Sequence, residues 1–242
     1  MFEPISQTRA LEAGATHTRR PGAQGAEPDA LPDLLLIERA RSGDERAIEA
    51  LVRRYSRRLF RVARSVLPDA ERAESAVIEA YVAAFGDLNR YEPTGKFAAW
   101  LTRLTFNQAR ALRASASASA RTAPGASAAT AGAELAATEA QEREALERQI
   151  SALPEVFRTV FVLRVVEGIS GIETAASLGL HETTVRTRLY RAHRRLGAEA
   201  AHRMRVAAAV YELTAPRQEY LVTRVLAALP HGSMLTISAS PP

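Results

Sequence analysis

Five arginines, Arg186, Arg188, Arg191, Arg194 and Arg195, crowd into the stretch ETTVRTRLYRAHRRL of a 242-residue chain. On a helix, like charges three and four positions apart repel by a few tenths of a kcal/mol per pair. A guanidinium is a planar fork of donors that matches phosphate oxygens and the guanine edge. An external polyanion would turn the repeated repulsion into attraction, so the chemistry expected here is recognition of a nucleic acid.

Bond-making chemistry finds little support elsewhere. The chain has no cysteine, which excludes disulfides, thiolate zinc sites and thiol nucleophiles. His17, His181, His193, His202 and His231 are scattered without metal-ligand spacing. No glycine-rich phosphate loop or nucleophile motif occurs, so no enzyme activity, metal, cofactor or small-molecule substrate is expected. Net charge is +5 and the pI is near 10.0. Lys96 is the only lysine, and arginines outside the crowded stretch fit a GC-rich genome equally well. No apolar run approaches the roughly 20 residues of a membrane helix, and the N-terminus lacks a signal-type apolar core. A cytoplasmic protein without membrane contact is expected.

The elements that must position these arginines can be read outward from them. Ser170 and Glu173 form the capping-box pattern S-x-x-E for a helix ending near Leu178. Gly179 supplies a tight turn, and a second helix begins after His181. Helix, short glycine turn and helix make a helix-turn-helix. At about 100° per residue, Val185, Leu189, Ala192 and Leu196 share one face of the second helix. Arg188, Arg191 and Arg195 lie on another, with Arg186, Tyr190, His193 and Arg194 beside them. An arginine-rich helix is ordinarily a solvated surface. The capped first helix, the glycine turn and the leading Thr183 and Thr184 favour a recognition helix instead. Before this unit, Leu153-Pro154 breaks one helix and starts another, strongly apolar through Phe157, Val160, Phe161 and Leu163, which Gly168 closes.

A second patterned block lies upstream. Residues 1–32 lack periodicity and read as a disordered arm. Ile48, Leu51, Val52, Tyr55, Leu59, Val62 and Val66 form one helical stripe, with Asp44 as N-cap and Pro68 as stop. A helix after Asp69 turns Val77, Ile78, Tyr81, Val82 and Phe85 inward and leaves Glu71 and Glu74 on a solvated face. NRYEPTG is loop chemistry, after which KFAAWLTRLTFNQARALR resumes helical spacing. Ala, Ser and Gly dominate from Ala114 to Ala133, read as a flexible linker. At the C-terminal end, APRQEYLVTRVLAALP reads as a short amphipathic helix that packs on the helix-turn-helix, with partner binding as the alternative. The organisation expected is all-α: an arm (1–32), a first helical domain (33–114), a linker (115–134), a helix-turn-helix domain (135–197) and an extension (198–242).

LPEVFRTVFVLRVVEGISGIETAASLGLHETTVRTRLYRAHRRL, Leu153 to Leu196, resembles region 4 of the extracytoplasmic-function group of sigma-70 RNA polymerase initiation factors. ARSGDERAIEALVRRYSRRLFRVARSVL and KFAAWLTRLTFNQA resemble region 2 of the same group, and the two likenesses cover about two thirds of the chain. The resemblance implies a region 2-like bundle and a region 4-like helix-turn-helix that bind core RNA polymerase and direct it to promoter DNA. It implies that region 4 reads the upstream (−35) element as duplex, with Thr183, Thr184, Arg186, Thr187 and Arg188 near base edges and Arg191 and Arg194 on phosphates. Region 2 would take the downstream (−10) element as an opened strand, holding a flipped base at the loop from Tyr91 to Gly95. Lys96, Arg103, Asn107 and Arg110 are its polar candidates, and Trp100 reads as core before stacking platform.

The polymerase-binding helix departs from the family pattern D-x-V-Q-E. Here the sequence is SAVIEAY, so Ser75 and Ile78 replace polar residues and Glu79 is the one polar position that matches. That departure sustains an alternative reading, a stand-alone helix-turn-helix regulator. The resemblance also admits an anti-sigma protein as a masking partner.

Overall fold

The computed structural model describes residues 31–92, 96–119, 137–202, 207 and 209–229, and its regular elements are helical. Residues 1–30 of the expected N-terminal arm, most of the expected linker and the end of the tail lie outside the described residues.

The first body starts with α1 (Asp33–Arg41) and turns at Gly43 into α2 (Glu45–Val66). Asp44 caps α2 by accepting from the Arg46 and Ala47 amides at 3.0 and 3.4 Å. The predicted stripe from Ile48 to Val66 is buried along its whole length. Burial of each large apolar side chain contributes roughly 1.5–3 kcal/mol, which makes α2 the central post. Asp69 caps α3 (Ala70–Gly86) in the same way, and α3 sends Val77, Tyr81 and Phe85 into the core. α4 (Phe97–Ser119) packs against both α2 and α3. It runs beyond the point where the sequence reading placed the linker, because an Ala-Ser run continued from an established helix propagates without a new nucleation cost.

The second body is built from α5 (Ala137–Ala152), α6 (Glu155–Phe161), α7 (Gly171–Leu178) and α8 (Glu182–His202). Pro154 is the N-cap of α6, as the Leu153-Pro154 break predicts. The apolar helix does not continue in α form to Gly168. Val162–Val166 widens into a π turn, and the Ile169 amide then donates to Leu163 at 3.0 Å. Ser170 Oγ accepts from the Glu173 amide at 3.1 Å, giving α7 its cap. Only half of the expected capping box forms, since the Glu173 carboxylate is bound by Arg58 and Lys96. Leu146, Ile150, Phe161, Val162, Ala192 and Leu196 form this body's core.

Two other expectations change. α9 (Ala215–Ala228) packs on α2 and α3 of the first body, not on the helix-turn-helix. Its buried Leu221, Val222 and Val225 join the first body's apolar cluster. Glu74 is not on a solvated face, for α9 covers it and Arg217 pairs with it. The partner lies far away in sequence, so helical periodicity alone could not show that Glu74 is enclosed.

Gly179 holds the helix-turn-helix corner with φ 65° and ψ 40°, the left-handed region. A Cβ there meets only the Arg103 guanidinium, 3.6 Å away, an ordinary contact. Gly179→Ala should therefore lose stability by conformation rather than by clash, about 1–2 kcal/mol. Urea denaturation monitored by circular dichroism checks this.

Candidate nucleic-acid interface

α8 separates its residues by chemistry. Val185, Ala192 and Leu196 are buried, and Leu189 is half-buried on the same side. Arg186, Thr187, Arg191, Arg194 and Arg195 are exposed, Thr183 leads them at the helix start, and Arg188 and Thr184 are half-buried at the edge. Among the described residues, no carboxylate pairs with any of these five arginines. Arg195 instead lies 5.5 Å above the Phe157 ring. Arg191, Arg194, Arg195 and Phe157 line an open recess of about 430 Å³. Tyr190, 63% exposed, stands on the same helix. Five cations on one helix, with no pairing carboxylate among the described residues, form a cationic ridge whose charge suits a polyanion.

The candidates on the first body are arranged differently. Tyr91 is buried, edge-on to Phe97 at 5.3 Å and tilted against Trp100 at 4.8 Å. Burial pushes its hydroxyl above the ordinary tyrosine range, helped by Asp33. The Tyr91 ring is thus committed to an aromatic cluster, while Trp100 is half-buried at its edge. An open recess of about 520 Å³ runs along Tyr91, Lys96, Trp100 and Arg103, and Ala176 of α7 forms part of its wall. Arg103 and Asn107 are exposed. Lys96 pairs with Glu173 at 2.8 Å and Arg110 with Glu155 at 3.5 Å. The loop residues 93–95 lie outside the described residues. On α3, Ser75 and Glu79 are exposed and Ile78 is half-buried against the core. Ser75 Oγ donates to its own helix at Glu71 O, 3.1 Å away.

Residues 51–118 match the family described as Sigma-70 region 2, and residues 143–196 match Sigma-70, region 4. RNA polymerase sigma-H factor of Pseudomonas aeruginosa is 30% identical over 172 residues, which span 66% of this chain and 89% of that protein. The chain belongs to the extracytoplasmic-function group of sigma-70 factors. SigE of Mycolicibacterium smegmatis, an ECF RNA polymerase sigma factor, is 27% identical over 203 residues, 80% of this chain and 78% of that protein. Among solved structures, CnrH in complex with the cytosolic domain of CnrY aligns with a TM-score of 0.52 at 31% identity. That alignment spans 69% of this chain and 95% of CnrH.

In this sigma factor the two bodies meet through charge. Arg61 and Glu167 pair at 2.6 Å with only 4% and 8% of their side chains exposed. Arg58 and Lys96 both bind Glu173 at 2.8 Å, and Arg113 joins Arg110 on Glu155. Ser65 Oγ donates to Thr159 Oγ1 at 3.0 Å, and Val62, Leu163 and Ile169 form a small shared apolar cluster. None of Glu155, Glu167 and Glu173 figured among the sequence candidates. A run of four arginines at positions 57, 58, 61 and 64 on α2 was the available signal that carboxylates must arrive from elsewhere.

Burial alone would raise the Glu173 carboxyl, yet hydrogen bonds from Lys96 and Arg58 hold it below its ordinary value of 4.5. A carboxylate lowered in the folded state stabilises above its unfolded value, and that contribution is lost as pH falls through the folded one. The two bodies should loosen below about pH 4.5. Trp100, the single tryptophan, borders the recess walled by α7. Its emission should shift to the red on acidification, and Glu173→Gln should show the shifted emission already at pH 7.

Proposed function

We propose that α8 enters the major groove at the upstream promoter element, with Thr183, Thr184, Arg186, Thr187 and Arg188 at base edges and Arg191 and Arg194 on phosphates. The observation that carries this is the unpaired cationic ridge on a rigid helix, since cations left without internal partners attract the phosphate backbone. Phosphate contacts fix position, and side chains at the N-terminal end of the helix read the bases. In the first body, Lys96 and Arg103 in the 520 Å³ recess, with Trp100 at its rim, and Asn107 and Arg110 farther along α4 track the opened downstream strand. Tyr91 supports that surface from beneath through its ring contacts. Ser75, Ile78 and Glu79 form the part of α3 that meets core polymerase. A protein partner, bound as the cytosolic domain of CnrY is bound to CnrH in a solved complex, would act as the masking factor.

Transcription reconstituted with core RNA polymerase tests the assignment. A good base contact is worth roughly 1–3 kcal/mol, so Arg186→Ala with Arg188→Ala should lower promoter-dependent initiation by tenfold or more. Unchanged initiation would remove α8 from the reading surface, and promoter-specific binding without core enzyme would favour a stand-alone regulator. For the holoenzyme, the region 4 contribution to salt dependence should follow phosphate number. If about six phosphates are neutralised, log affinity falls with log salt at a slope near −5, and each arginine removed from the ridge lowers the slope by about 0.9.

A further inference from the structure

The C-terminal segment belongs to both bodies at once. Ala207, Val210 and Tyr211 are buried in the core of the second body. The Tyr211 amide donates to Glu147 Oε1 at 2.9 Å, and its hydroxyl shares a hydrogen bond with Ser151 at 2.7 Å. Leu213, two positions on, is buried in the core of the first body, and α9 follows it there. Glu212 alone therefore separates chain anchored in one domain from chain anchored in the other. α9 is fixed by its buried Leu221, Val222 and Val225, by Arg217 on Glu74, and by both Glu219 oxygens on Arg53 at 2.5 and 2.8 Å. Gln218 adds a hydrogen bond to the Arg53 carbonyl at 3.1 Å.

This anchoring conflicts with simultaneous use of both DNA surfaces. Two residues of extended chain span about 7 Å, so with both anchors in place the bodies stay in contact. A body of this size is roughly 30 Å across, and two of them swung end to end reach roughly 60 Å. The upstream and downstream elements are about 25 base pairs apart, on the order of 80 Å at about 3.4 Å each. One anchor must let go.

We propose that α9 is a releasable clasp: docked on α2 and α3 it holds the sigma factor closed, and its release lets the two domains reach both promoter elements. The inference rests on the promoter-recognition reading above. One observation selects α9 over the Tyr211 anchor, and a second favours release. α9 packs on α3, the helix assigned to core polymerase, so that polymerase binding and clasp docking act on one element. The contact between the bodies that the clasp protects is also polar and imperfectly paired. Arg58 Nε and Nη2, Thr174 Oγ1 and Ser177 Oγ are buried without a hydrogen-bond partner among the described residues, and each such group costs the closed state its lost hydration. A contact of this kind opens more readily than an apolar one.

The absence of cysteine makes the test direct. Arg53→Cys with Glu219→Cys, bridged by a bis-methanethiosulfonate reagent, locks α9 onto α2, and a reductant reopens the bridge in the same sample. With core polymerase, the bridged protein should initiate at least tenfold less from its promoter and recover on reduction. Each single-cysteine protein treated alike should remain active. Full activity in the bridged state overturns the clasp and shows that the Tyr211 anchor opens instead. Small-angle scattering of the free chain gives a readout independent of transcription. Arg53→Glu should shift the radius of gyration upward, and Glu219→Arg added to it should restore the compact value. An unchanged radius in Arg53→Glu also overturns the clasp. Should the reduced protein fail to transcribe while the scattering shift appears, the promoter reading falls and the clasp stands.

Discussion

Arg61 and Glu167 meet at 2.6 Å with almost no water around either side chain, and the closed arrangement of this sigma factor depends on pairs of this kind. A charge removed from water loses several kcal/mol of hydration that only a close, well-aligned partner restores. α2 brings four of its arginines against carboxylates, and Arg58 and Arg61 are the most enclosed of them. Arg53, Arg54, Arg58 and Arg61 each find a carboxylate, two of them on the other body and one on α9. α8 carries its arginines to the opposite condition, exposed except for the half-buried Arg188 and without internal carboxylates among the described residues. One residue type thus serves two purposes, internal fastening on α2 and external attraction on α8, and burial separates them.

Much of this was legible in the sequence. The stripe on α2, the Asp44 and Asp69 caps, the Leu153-Pro154 break, the Gly179 corner and the inward set Val185, Ala192 and Leu196 are local properties, set by residue type and by spacing along one helix. The exposed ridge on α8 followed from the same periodicity. What escaped depended on distant partners. Glu74 has the periodicity of a surface residue until α9 covers it, and α9 has an apolar face that names no docking site. The π turn at Val162–Val166 leaves no trace in an apolar run, because every residue in it would suit an α-helix equally well. Tyr91 sits in a sequence of loop residues, and only the arrival of Phe97 and Trp100 from α4 encloses it.

On the proposed reading, the surface for one promoter element is therefore not independent of the surface for the other. Lys96 and Arg110, candidates for the opened strand, are held by Glu173 and Glu155 of the helix-turn-helix body. On the proposed reading, DNA and the second body compete for the same cations. Salt weakens both associations, but the exposed Lys96 contact is screened more than the buried Arg61 pair.

The half-formed cap of α7 bears on the cost of parting. While the bodies touch, Glu173 spends its carboxylate on Arg58 and Lys96, and the first turn of α7 has Ser170 as its side-chain acceptor. When the bodies separate, that carboxylate is free to fold back on the Ser170 amide and complete the reciprocal cap, next to the positive end of the helix. Separation is thereby partly self-compensated. The start of the helix that places α8 thus exchanges contacts with the neighbouring body for a contact within its own cap.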